Sequence, residues 1–398
     1  MIQEIKIKNF LSFKDEVRFS FDASNDKFAE DCQVVQVNEN TRLLRFAVVY
    51  GYNASGKSNL LKAFKFLKDF WFENKINLKE KTGVVPFKLD AHTPKEHTRF
   101  ELFFFVGSIR YNYQLELDSN VVYLEKLSYY KTTQPIKLFV REFKDNQSVI
   151  SYGSDVKVNG AVKNLIAANC LNNMSFFAAR NKANANIPLI DDAKDWLDVS
   201  VMPSVLPTFD MTSLAYYVLN KDEDFRKYIL DFLGEADFNV TNILSDEINN
   251  GDIKTDFEHT VENERGTEIY KLSPEEKEES MGTMRTFGLE SHIFSSLKYN
   301  LFVPIDEIES SLHPQLIEKI LYEFLRKTDS RSQLLVTTHY DGLLDLVDDL
   351  IRKDSVWFTE KQNTGATDLY KLTDFRGVNR LSSIRDAYRN KRFGATMK

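Results

Sequence analysis

The sequence predicts an α/β fold with a mixed central sheet, an antiparallel β subdomain and a helical insertion. Three observations predict it. Residues 43–50 (LLRFAVVY) form a continuous apolar run of the kind buried on both faces of a parallel sheet, and this run feeds straight into a glycine-bearing turn and an amphipathic helix. Residues 100–150 alternate polar and apolar side chains in stretches broken at Gly107, 118–120 and 132–135, the pattern of a β-meander. Two more apolar strands, at 301–305 and 334–338, flank a helix at about 314–327.

The remaining elements follow in chain order. Ile5 and Ile7 alternate with Lys6 and Lys8, and Val17, Phe19 and Phe21 repeat the pattern after a turn-like segment at 12–16, so the chain opens with an antiparallel pair. Beyond the glycine turn, Leu60, Leu61, Phe64 and Leu67 fall at helical spacing. The segment from about 160 to 233 reads as helical, most clearly at 164–169, 193–197 and 214–233, with Pro188, Pro203 and Pro207 as breakers. Strand signals resume at 238–244 and 257–272. A charged run, PEEKEES at 274–280, precedes an apolar helix at 284–297. No sustained heptad exists, which excludes a long coiled coil. The expected division is an N-terminal lobe at 1–153, a helical insertion at 154–236 and a C-terminal lobe at 237–398.

With 52 Lys and Arg against 59 Asp and Glu, the chain is no indiscriminate polycation. Cys32 and Cys170 stand far apart, so neither a disulfide framework nor a CxxC zinc site is available. No apolar window reaches the roughly 20 residues needed to cross a bilayer, and the start lacks a signal-peptide pattern. The expected compartment is the cytoplasm, with no membrane partner.

Gly51, Gly56, Lys57 and Ser58 satisfy the phosphate-loop pattern GxxxxGK[ST] as GYNASGKS, in the strand–turn–helix context that it requires. Glycines let backbone amides curl around phosphates, and the helix N-terminus adds partial positive charge. The predicted nucleotide-binding set is Gly51, Asn53, Ala54, Ser55, Gly56, Lys57, Ser58 and Asn59. Lys57 would reach the outer phosphates of ATP and Ser58 would ligate Mg2+.

LFVPIDEIESSLHP places Asp306 and Glu307 at the end of an apolar strand. On a strand beside the phosphate loop, Asp306 would hold magnesium and Glu307 would act as general base. Glu309 reads as structural. LLVTTHY repeats the design and ends at His339, which would emerge on the same sheet edge and hydrogen-bond the γ-phosphate or the attacking water.

Taken in order, GYNASGKS at 51–58, ESMGT at 279–283, IDEIESSLHP at 305–314 and TTH at 337–339 resemble the ABC-type ATPase head of SMC, RecF and OLD-like proteins. Within that superfamily the opening IKIKNFLSFKD, PFKLD at 86–90 and the closing YRNKRFGA resemble the AAA-type ATPases of bacterial phage-defence operons, such as the RloA and AbiL group, with the Septu and PARIS ATPases as relatives. The resemblance implies a composite site in which Ser280 and Gly282 act in trans, while Lys57, Ser58, Asp306, Glu307 and His339 act in cis. ATP would then hold together a homodimer or a higher homo-oligomer. SMGT also precedes an apolar helix, a natural anion site. The motif departs from LSGGQ at Met281 and Thr283, and the family's Q-loop glutamine has no assigned counterpart.

The resemblance further implies a sensor or regulator of an anti-phage system, controlling a separate effector that is a nuclease or a toxin. The alternative is an ATP-gated DNA-binding protein of repair or maintenance. A fused Toprim nuclease is not expected, since too few residues follow His339. The tail carries Lys371, Arg376, Arg380, Arg385, Arg389, Lys391, Arg392 and Lys398 against Asp374 and Asp386, so nucleic acid or an acidic partner is a candidate ligand there. Asp341, Asp345, Asp348 and Asp349 are expected on one side of a helix, as a solvated face rather than a metal site.

Overall fold

A computed structural model describes residues 1–208, 211–236, 238–248, 252–263, 268–273 and 279–396. Within the predicted charged run, 274–278 lie outside the described residues, as does Lys398. The central sheet has five strands, in the order Phe302–Ile305, Gln333–Thr338, Phe46–Tyr50, Val356–Lys361, Thr367–Lys371. The first four are parallel and the last is antiparallel, so the sheet is mixed as the sequence predicts. One adjacency differs. The sequence places the Asp306 strand beside the phosphate-loop strand, but Gln333–Thr338 lies between them, pairing Leu334 with both Phe46 and Val303. Neighbours in a sheet are set by non-local pairing, which chain order does not fix.

Both faces of this sheet are covered, which explains its unbroken apolar strands. Ala47 and Val49 enter one core, while Phe46, Val48 and Tyr50 enter another. The first core is roofed by a seven-stranded antiparallel sheet that fuses the opening hairpin to the meander. Ile5 pairs with Leu102 and Ile7 with Phe100 across that junction. Between the two sheets lies the helix Lys57–Phe72, with Leu60, Leu61, Phe64 and Trp71 buried. The second core is built by Met281–Tyr299 and Pro314–Arg326 on the opposite face.

The helices between 160 and 235 do not share one core. Trp71 stacks on Phe177 at 3.9 Å in the first core, whereas Ala215, Leu219, Phe225 and Ile229 pack with Phe287 beneath a three-stranded sheet. Pro188 opens the helix Pro188–Ser200 rather than breaking one, because its missing N–H falls where a first turn has no acceptor. The expected helical stretch at 214–233 is two helices, Thr212–Lys221 and Glu223–Glu235. Asp222 divides them by capping the second, accepting from the amides of Asp224 and Phe225. Among the described residues no helix is long and apolar enough to cross a membrane.

Candidate functional site

The phosphate loop begins where the buried strand Phe46–Tyr50 ends. A β-carbon on Gly51 would lie 2.4 Å from both Ser55 Oγ and Thr359 Oγ1, so only glycine fits that close approach. Gly56 has φ +109°, a conformation open to glycine. Neighbouring hydroxyls clamp the loop from outside. Ser55 Oγ lies 2.7 Å from Thr359 Oγ1, Thr367 Oγ1 donates to the Ser55 carbonyl at 2.8 Å, and Asn59 Nδ2 donates to Ser12 Oγ at 2.7 Å. Gly56 is the N-cap of the Lys57–Phe72 helix and offers no side-chain cap, so no side-chain cap competes for the first-turn amides. Asn53 and Ala54 are exposed at the loop's crest.

The parallel strands deliver their loops to one edge. Lys57 is buried and donates to the carbonyls of Gly51 at 2.9 Å and Tyr52 at 3.3 Å, and its Nζ lies 2.9 Å from His339 Nε2. His339 Nε2 in turn lies 3.6 Å from Glu307 Oε1. Burial lowers the Lys57 ammonium from its ordinary value to about 8, against the opposing pull of Glu307, Asp306 and Glu309. Ser58 Oγ donates to Asp306 Oδ1 at 3.0 Å. The Asp306 strand is one strand removed from the loop, yet its carboxylate still reaches Ser58.

Exposure divides these groups. Asp306 is 6% exposed, while the Glu307 and His339 side chains are 41% and 30% exposed. The hydroxyl–carboxylate pair is a set of hard oxygen donors, suited to Mg2+ alongside phosphate oxygens. Glu307 faces solvent, where a water molecule can reach it. Its φ of +47° is left-handed, a geometry costing a side chain roughly 1–2 kcal/mol.

The signature residues stand apart. Ser280 is the N-cap of Met281–Tyr299, accepting from the Thr283 amide at 3.0 Å, and Met281 is 78% exposed. Gly282 borders Ser311, whose carbonyl would lie 3.6 Å from a β-carbon there. Among the described residues no hydrogen bond joins Ser280 or Gly282 to the phosphate loop. Glu279 is held by His259 Nε2 at 2.7 Å, which ties the signature to the three-stranded sheet.

The expected acidic face after His339 is mostly neutralised from within. Asp341 and Asp345 pair with Arg385 at 3.0 and 2.6 Å, Arg389 binds Asp341, and Lys353 pairs with Asp348. No group of three metal-ligating side chains occurs among the described residues. These pairs also split the basic tail. Arg376, Arg380 and Arg392 form no side-chain ion pair among the described residues, and Arg376, Arg380 and Lys353 line a concavity of about 590 Å³.

Sequence reasoning missed Ser12, Thr337, Thr338, Thr359 and Thr367. One signal was present. Two threonines inside an otherwise apolar, fully covered strand must find partners, because burying an unpaired hydroxyl is unfavourable.

A family model described as "AAA domain, putative AbiEii toxin, Type IV TA system" matches residues 46–154 and 188–345. No curated protein matches the chain significantly. Among solved structures, the SMC head domain from Thermotoga maritima is similar at 14% identity and TM-score 0.43, covering 93% of this chain and 98% of that one. An Smc head domain with an extended coiled coil, bound to the C-terminal domain of ScpA and derived from Pyrococcus furiosus, is similar at 11% identity and TM-score 0.44, covering 98% of each chain.

Proposed function

Because the chain belongs to this AAA domain family, we propose that it is a Mg2+-dependent ATPase that hydrolyses ATP to ADP and phosphate at the edge formed by Gly51–Ser58, Asp306, Glu307 and His339. The observation that carries this reading is the convergence of Lys57, Ser58, Asp306, Glu307 and His339 at the ends of three parallel strands, where Lys57 hydrogen-bonds His339, Ser58 hydrogen-bonds Asp306, and Glu307 lies 3.6 Å from His339. In this reading 1–153 and 237–398 build the head, and 154–236 supplies helices that brace it.

The first-turn amides and the Lys57 ammonium bind the phosphates. Ser58 and Asp306 would hold Mg2+, which supplies charge neutralisation across the outer phosphates. Glu307 takes the proton of the attacking water, and His339 orients that water or the terminal phosphate. Positioning and charge neutralisation supply most of the catalysis. Among the described residues Ser280 and Gly282 make no hydrogen bond to their own phosphate loop and Met281 between them is exposed, which supports a second copy of the chain completing the site. Phosphate release from purified protein with ATP and Mg2+ tests the reading. Turnover lost in Lys57→Ala supports it, and absence of turnover and of ATP binding in the parent protein overturns it.

The family's description names a "putative AbiEii toxin" and a "Type IV TA system". The biological role proposed here is that of an anti-phage ATPase of the cytoplasm that controls a separate effector. Arg376, Arg380 and Arg392, without side-chain ion pairs among the described residues, favour a second reading, ATP-gated nucleic-acid binding, since guanidinium forks suit phosphates. Fluorescence anisotropy with duplex DNA across a salt series separates the two. A steep salt dependence, relieved by Arg376→Glu with Arg380→Glu, favours the second, and no binding favours the first.

A further inference from the structure

Thr337 and Thr338 end the strand Gln333–Thr338 that leads into His339, and both are fully buried. Their hydroxyls repeat one arrangement. Thr337 Oγ1 donates to Asp306 Oδ1 at 2.5 Å and accepts from the Glu307 amide at 2.9 Å. Thr338 Oγ1 donates to Glu309 Oε2 at 2.8 Å and accepts from the Tyr340 amide at 2.9 Å. The other Glu309 oxygen accepts from the His339 amide. Each hydroxyl thus joins a carboxylate of the acid loop to a backbone amide at the sheet edge, and Thr337 spans the acid and the base directly.

We infer that Thr337 is the positioning residue of the site, its single hydroxyl orienting the Asp306 carboxylate for the metal while pinning the left-handed Glu307 backbone that aims the base. The inference rests on the ATPase reading. Three features argue that the hydroxyl is more than core polarity. Asp306 Oδ1 already receives Ser58, so the second donor from Thr337 fixes the carboxylate plane even when the Ser58 hydroxyl turns toward another ligand. Glu307 holds φ +47° without being glycine, and strain of this kind persists only where surrounding bonds hold it. The Thr337 carbonyl also accepts from the Ile308 amide at 3.1 Å, so the same residue grips both ends of the Glu307 peptide unit. Thr337 is fully buried behind the acid loop. It acts through the two acids.

The test compares Thr337→Val, which keeps the shape and removes both bonds, with Thr337→Ser, which keeps the hydroxyl. Two readouts are used on the full chain: amide hydrogen exchange of the 305–309 segment without nucleotide, and Mg2+ titration of ATP turnover. Thr337→Val is expected to speed exchange at Glu307, raise the Mg2+ midpoint about tenfold and lower kcat about tenfold or more, with KM for ATP within about twofold. Thr337→Ser is expected to restore all of these. A Thr337→Val protein that melts earlier but keeps the parental Mg2+ midpoint and Glu307 exchange overturns the inference and leaves the ATPase reading intact. A parent protein that neither binds nor hydrolyses ATP overturns both.

Discussion

Two helix N-termini belong to the proposed site, and they are built in opposite ways. The helix Lys57–Phe72 starts from Gly56, with no side chain capping its first turn and a buried cation beside it. The helix Met281–Tyr299 starts from Ser280, whose hydroxyl already satisfies the Thr283 amide. The first end is left without a side-chain cap, as suits a ligand site. The second is stable on its own and presents an exposed Met281 to solvent. In the proposed function the contrast separates a site that lowers stability in order to bind from a surface that waits for a counterpart.

The sharpest way to break the contrast is to remove the buried cation. Lys57→Met is expected to weaken ATP binding by about 100-fold or more, measured by calorimetry. Its melting temperature should rise at the same time. The folded-state value near 8 lies below the ordinary 10.5, so the unfolded chain binds more protons between those limits and the native state carries the full penalty below pH 8. The stability gain of Lys57→Met should therefore be largest at pH 7 and fade toward pH 10.5. A variant that melts lower than its parent at pH 7 would contradict this.

Glu307→Gln separates binding from turnover at the open end. ATP should be retained while hydrolysis falls about 10²- to 10⁴-fold, and nucleotide-bound dimers should accumulate in size-exclusion chromatography with light scattering. Hydrolysis at the parental rate would remove Glu307 from the role of base.

Ser280→Asp probes the closed end without uncapping it, since Asp caps as well as Ser. Melting temperature and ATP binding by the monomer should stay near parental values. A carboxylate facing a phosphate should lower turnover about tenfold or more and abolish ATP-dependent dimers. Unchanged turnover would take the signature helix out of the site.

The smallest effect lies deeper in that helix. Glu290 is fully buried and accepts from the Tyr228 hydroxyl, and burial pushes its carboxyl up to about 8. A folded value above the unfolded one means that native stability falls as pH rises from about 4.5 to about 8. Glu290→Gln should match the parent near pH 4.5 and melt progressively higher above it, by thermal denaturation across pH. A gap that narrows with rising pH would refute the assignment.

Much of the site was legible because its chemistry is local. The phosphate loop reads directly from Gly51, Gly56, Lys57 and Ser58, since a tight turn that cradles phosphate leaves few choices of residue. The acid pair and His339 read from apolar strands that end abruptly in polar groups. Ser12, Thr359 and Thr367 did not read, because a hydroxyl braces the loop only after distant segments pair. Nothing local in 1–8 announces that the opening hairpin will extend a sheet begun at Thr98.

By itself, then, the sequence determined which strands are buried on both faces, where the glycine turn falls and which side chains can handle phosphate, all of which follow from short-range pattern and residue chemistry. Only the tertiary structure decided strand order, the placing of Gln333–Thr338 between loop and acid, the pairing of Asp341 with Arg385 and Arg389, and the grip of Thr337 on both acids. These depend on contacts between residues far apart in the chain, whose partners are selected by the burial of whole faces rather than by any neighbouring residue.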